Sequence, residues 1–148
     1  MRLRESPTLA STGKTAISPT PGGSFLVSSF FDVFTELSLD NGATWSPSTS
    51  APPHMNFVGT VPSVALPPKD ANYVSPNQWH ALYAQGIYIT NASHSGFVSS
   101  FPPPPPGRVT QTHTFGSTVN MQVRLCPTCP LQPISAPATV TVKVSSRP

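Results

Sequence analysis

Charge is what this sequence has least of: only 9% of its 148 residues are Asp, Glu, Lys or Arg, against about a quarter in ordinary globular domains. Uninterrupted runs are missing too. The 20 prolines break the chain so often that no stretch suits a long helix, a coiled coil or a membrane span, because proline removes a backbone donor and clashes with the preceding turn. No basic patch is present either. Arg2, Arg4, Lys14, Lys69, Arg108, Arg124, Lys143 and Arg147 are scattered, whereas nucleic-acid binders gather such charges on one face to neutralise phosphates; no nucleic-acid partner is expected. Met1–Glu5 opens without the apolar core of a secretory signal, so the expectation is that a leader has already been removed or that Met1 is internal to a longer gene product.

What is present is apolar material in short pieces. The chain is 37% hydrophobic, with 8 Phe, 3 Tyr and 2 Trp, too much for a disordered segment. Short strands joined by Pro-rich connections point to an all-β fold, an Ig-like or jelly-roll β-sandwich with one short helix and an extended N-terminal arm. Residues 1–24 form the arm, closed by the turn Pro19-Thr20-Pro21-Gly22-Gly23, and residues 25–148 form the sandwich. Phe25 to Leu39 reads as one strand, with Phe31, Val33, Leu37 and Leu39 inward and Asp32, Glu36, Ser38 and Asp40 on the wet face, part of which Phe30 and Phe34 mark as covered by the arm, another loop or a neighbouring subunit. Met55 to Val58, Ile87 to Thr90, Phe97 to Phe101 and Thr110 to Leu125 read as further strands, and Thr139 to Ser145 has the cleanest period-two alternation. The helix is expected over 75–86, where Ser75 can cap, Pro76 suits the first turn, Trp79, Leu82 and Tyr83 share a face, and Gly86 can terminate it. Pro102 to Pro106 reads as a polyproline II rod.

Ser38-Leu39-Asp40-Asn41-Gly42-Ala43-Thr44-Trp45 matches the Asp-box pattern S-x-D-x-G-x-T-W. The carboxylate of Asp40 can accept loop amides beside Ser38 and Thr44, Gly42 can take positive φ, and Trp45 can fold back as an apolar plug. Such boxes repeat once per blade in sialidase-like propellers, for which this chain is too short, so the box is read as a structural turn. At the equivalent place in a second, similar hairpin stands Cys126-Pro127-Thr128-Cys129-Pro130. With no βαβ context for a redox dithiol, no following His for haem and no second ligand pair for zinc, a disulfide between Cys126 and Cys129 is expected, and with it an oxidising compartment.

Catalytic machinery is not found. Asp32, Glu36 and Asp40 lie four residues apart, about 13 Å between neighbours on a strand, beyond the roughly 5–9.5 Å of glycosidase pairs. His54, His80, His94 and His113 are dispersed, so neither a metal site nor a cofactor is expected, and the chain is read as a non-enzyme. Asn91-Ala92-Ser93 fits the N-glycan sequon, which makes Asn91 a possible attachment point. Trp45, Trp79, Tyr83 and Tyr88 could supply a sugar-stacking platform.

Ser29–Pro47, Gln111–Ser117, Ala136–Val142 and Arg4–Gly13 together resemble a group of uncharacterised secreted proteins of environmental bacteria, with the signature Phe30-Phe31-Asp32-Val33-Phe34-Thr35-Glu36-Leu37-Ser38 leading into the Asp-box. The likeness covers nearly the whole chain. It implies subunits of pilus-like extracellular fibrils rather than enzymes, and a place at the bacterial cell surface. The expected function is a structural subunit that polymerises helically with copies of itself by lending its arm to a neighbour's sheet, Leu3, Leu9, Ala16 and Ile17 being the plugs. A carbohydrate-binding module, with glycans as partners, is the alternative.

Overall fold

In the computed structural model the described residues are all except 53, 58–60, 64, 69, 76–79, 106, 108 and 146–148. The strands run β1 (Arg2–Glu5), β2 (Thr12–Pro19), β3 (Phe25–Asp32), β4 (Thr35–Ser38), β5 (Ser46–Pro47), β6 (His54–Phe57), β7 (Val61–Ser63), β8 (Tyr73–Val74), β9 (His80–Leu82), β10 (Tyr88–Ser95), β11 (Thr110–Arg124) and β12 (Gln132–Ser145). The chain is all-β and sandwich-like: a curled antiparallel sheet accompanied by a second, small sheet. In the large sheet the order is β12-β11-β10-β8-β6-β3-β2, with β7 also paired to β3 and β9 to β10; the small sheet is β1-β4-β5.

Period-two alternation builds both ends of the large sheet. Every second residue of β12, from Ile134 through Val144, is half-buried while its neighbours are exposed, and β11 buries Phe115, Ser117, Met121 and Val123 on the same inward parity. Two apolar clusters result. One gathers Phe31, Tyr73, Phe97, Phe115, Val140 and Val142, so strands from opposite ends of the sheet meet across the curl. In the other, Leu37 of the small sheet packs with Ala81, Tyr83, Ile89, Met121 and Val123 of the large one. Full burial of a side chain such as Leu37, Ile89 or Val123 is worth about 1.5–3 kcal/mol.

Several expectations are corrected. The continuous strand expected from Phe25 to Leu39 breaks after Asp32, and its two halves join different sheets. The arm does cover part of the polar face, as β1 pairs with β4, and the cover goes further than expected: Glu36 and Ser38 are buried beside Leu37, while Leu39, expected inward, is exposed. Glu36 tolerates burial because Arg4 donates to Oε2 from Nε and Nη2 at 3.0 and 2.7 Å and Ser6 donates to Oε1 at 3.0 Å.

The helix expected over 75–86 is not formed in the part that is described. His80–Leu82 is strand β9 and only Ala84–Gly86 makes a 3-10 turn, while Pro76 to Trp79 lie outside the described residues. Pairing Ala81 with Ile89 and Leu82 with Tyr88 buries Ala81 and Tyr83 and leaves Leu82 exposed, a period-two arrangement. Phe97–Phe101 is not a strand either; Phe101 makes an isolated bridge to Leu66, and Phe97 turns in between Tyr73 and Phe115 with edge-on ring contacts at 5.9 and 5.8 Å. The last strand starts seven residues before the expected Thr139, at Gln132.

Candidate functional site

Among the described residues the seven-strand path of the large sheet ends at β2 and β12, each paired on one side only, as the short off-path strands β7 and β9 also are. Which backbone groups β2 and β12 present follows from the hairpins. Thr20 N donates to Ser24 O at 2.8 Å, so counting back through the β2–β3 register the even residues of β2 exchange hydrogen bonds with β3, and Gly13, Thr15, Ile17 and Pro19 turn their backbone outward. Pro19, which has no N–H to offer, sits where none is needed. On β12, Thr141 and Ser145 touch Thr114 and Thr110 through their hydroxyls at 2.9 Å, the close side-chain approach of non-hydrogen-bonded pairs. The odd residues of β12 therefore face outward, and Pro133 and Pro137 fall on that parity.

These prolines blunt one half of the margin, as edge prolines do. The open half is Thr139 to Ser145, where Thr139, Thr141, Lys143 and Ser145 present unused N–H and C=O groups. Every pairing along the path from β12 to β2 is antiparallel, and six successive reversals leave the two margin strands running in the same direction. The inward faces also correspond: Ile17 lies opposite the buried Val27, and Val140 and Val142 join the core cluster.

The four residues expected as plugs are not gathered on one surface. Leu3 is 38% exposed and paired with Leu37 in the small sheet, Leu9 is 47% exposed in the connection to β2, and Ala16 and Ile17 point to opposite faces of β2. Both halves of the 1–24 arm are thus paired within their own chain, β1 with β4 and β2 with β3. Arg4 completes the attachment of β1, its guanidinium lying 4.0 Å from the centre of the Trp45 ring.

The Asp-box is a closed hydrogen-bonded turn. Asp40 Oδ1 accepts from Ser38 Oγ at 2.8 Å and Thr44 N at 2.9 Å, and Oδ2 accepts from Thr44 Oγ1 at 2.6 Å. These bonds, that from the Thr44 hydroxyl above all, hold its carboxyl well below the usual carboxylate range. Ser38 Oγ accepts from Gly42 N and Trp45 Nε1 donates to Gly42 O; Asn41 and Gly42 take φ of 63° and 103°, which is where the glycine is required. With its oxygens engaged in this way, Asp40 acts as a brace. Cys126 and Cys129 are disulfide-bonded with Cα atoms 5.1 Å apart, closing the β11–β12 turn.

Asp32 leaves the row of acids to pair with His54, Oδ1 to Nδ1 at 2.6 Å, beneath the Phe30 ring. His94 lies against Ser117 and Phe97, and burial lowers its pKa. Among the described residues no group of three or more His, Cys, Asp or Glu could hold a metal ion, and no helix is long and apolar enough to cross a membrane.

Asn91, the sequon residue, is exposed in β10 with φ of 51°. Between the pairs Thr90–Gln122 and Ser93–Asn120 the strand carries one residue more than β11, a β-bulge. Sequence reasoning missed this feature, since a bulge leaves no periodic mark. No protein-family model matches the chain, no curated protein is similar to it, and no solved structure matches its fold.

Proposed function

We propose that the chain is a structural subunit that polymerises into an extracellular, pilus-like filament by adding the margin of one sheet to that of the next. The observation that carries this reading is the pair of open margins with equal direction and matching inward faces. Gly13 to Ile17 of one copy lies beside Thr139 to Ser145 of the next in parallel, so the inward faces stay on the same side. Unused backbone groups on both strands are satisfied, which gives affinity, and alternate side chains fix register. The contact is heterologous and does not close, so it propagates. The arm takes part through the outward side of β2, while β2 remains paired to β3. The disulfide is compatible with an extracellular site.

Negative-stain microscopy and light scattering of the purified protein test this. Filaments that vanish on Thr141→Pro, with the melting curve unchanged, are the expected result. A wild-type protein that stays monomeric at high concentration, or filaments that persist in both Thr141→Pro and Thr15→Pro, overturns it.

A further inference from the structure

The outer face of the large sheet carries a recess beside the proline-blunted half of the β12 margin, away from the open half Thr139 to Ser145. It occupies about 330 Å³ and is lined by Asn91, Asn120, Gln122, Pro133 and Ser135, with Met121 and Ile134. The bulge in β10 makes it: the extra residue swings Asn91 over β11, where its Nδ2 donates to Gln122 Oε1 at 3.1 Å. Asn120 and Gln122 share the outward parity of β11, and Pro133 and Ser135 that of β12. One further step along β11 lies Arg124, its guanidinium 4.8 Å from the centre of the Tyr88 ring. The volume falls at the lower end of ligand sites, about 300–1,000 Å³, and suits one or two sugar rings rather than a long chain.

We infer that this recess binds an uncharged oligosaccharide. Each carboxamide offers an acceptor oxygen and two donor hydrogens in one plane, the pattern that matches vicinal sugar hydroxyls, which both give and receive. Asn120 supplies that chemistry, Asn91 and Gln122 add the carboxamide donors and acceptors left over from the bond between them, Ser135 adds a hydroxyl, and the Pro133 ring offers an apolar wall for a sugar's C–H face. No Asp or Glu occurs anywhere after residue 70. The recess therefore has no carboxylate from its own strands for a metal ion, nor the acid pair that glycoside cleavage uses; it holds a sugar without hydrolysing it. Arg124 stands beyond the lining and not in it, so the reading commits to a neutral sugar and an acidic polymer is the competing occupant that the test must exclude.

The test uses the full chain made in a bacterial host that does not glycosylate Asn91, titrated calorimetrically with cellohexaose, chitohexaose, maltohexaose and xylohexaose, with polygalacturonate and single-stranded DNA as charged controls. Saturable binding of at least one neutral hexasaccharide with Kd below about 1 mM, weakened ~10-fold or more by Asn120→Ala and by Gln122→Ala, is the expected result. Circular dichroism melts confirm that both variants stay folded, and Ser28→Ala, on the outer face of the distant β3, serves as the control that leaves binding unchanged. Failure of all four neutral sugars to bind, equal affinity in both variants, or tighter binding of either charged polymer overturns the inference. Filament formation is scored separately, so loss of sugar binding with filaments intact bears on the recess alone.

Discussion

Proline substitution at adjacent positions of β12 turns the deduced backbone parity into a stability measurement. Thr141 faces the open margin and Val142 faces β11, where it is registered with His113. Val142→Pro removes a ladder N–H and strands the acceptor across from it. The lost hydrogen bond is worth about 0.5–1.5 kcal/mol and an unsatisfied buried acceptor about 1–3 kcal/mol, so the variant should lose roughly 2–4 kcal/mol. For a chain of this size each kcal/mol moves the melting point by about 2–4 °C, which places the expected drop near 4–16 °C. Thr141→Pro removes only an N–H that points to solvent and the exposed contact with Thr114, and should leave the melting point within about 2 °C on the same scale. Differential scanning calorimetry on dilute protein, where assembly does not contribute, decides it. A Thr141→Pro variant that melts below Val142→Pro would mean that the outward residues of β12 are even-numbered, and equal melting points would mean that the parity does not decide stability; either result overturns the account of the margins.

Three further outcomes follow from single contacts. Burial pushes the Tyr83 hydroxyl up to about 12, against a counteracting bond with Thr35 at 2.6 Å. The neutral form is therefore the folded one, and stability falls as pH rises above the unfolded value of about 10; ultraviolet titration of Tyr83→Phe should lack the highest-pH phenolate step, and loss of a step near 10 instead refutes this. Hydrogen bonding to Arg4 lowers the pKa of Glu36, so its stabilising effect is present above the unfolded carboxyl value of about 4.3 and disappears as pH falls through the lower folded value. Arg4→Ala should melt with less acid dependence than the wild type, and parallel acid curves would refute it. Reducing Cys126–Cys129 should cost on the order of 2 kcal/mol or less, because the closed loop is much shorter than the 15 residues worth about 3 kcal/mol. Complete unfolding in reductant at room temperature would contradict that.

The sequence makes the strands legible where one face is dry and the other wet. β12 is the plainest instance: Val140, Val142 and Val144 alternate with Thr139, Thr141 and Lys143, and the strand forms with that polarity. Phe30 and Phe34 hinted that part of the polar face is covered, but not that Glu36 and Ser38 are buried, because polar residues signal water unless their partners are known, and those of Glu36, Arg4 and Ser6, lie about thirty positions away in sequence. The described part of the helix expected at 75–86, from His80 onward, is not helical for a related reason. Leu82 and Tyr83 satisfy a helical face on paper, but Ala81 and Tyr83 also satisfy a strand face, and the partner that decides between them, β10, lies downstream. The Asp-box turn was readable residue by residue because its bonds are local, spanning two to four positions. The recess was not, since it needs a bulge in one strand and the register of two others.

The long hairpin of β11 and β12 is registered over fourteen residue pairs, from Thr110–Ser145 to Val123–Gln132, and Pro127 at its tip abuts Gly86, where an added Cβ would come within 2.7 Å. In an assembly that grows margin to margin, tension runs across the strands and along those rungs, which share it over the length of β12 rather than yielding one by one from an end. A subunit tethered through that strand would resist stretching far better than one held by a short terminal peptide, a useful property for anything that must stay attached in flowing water.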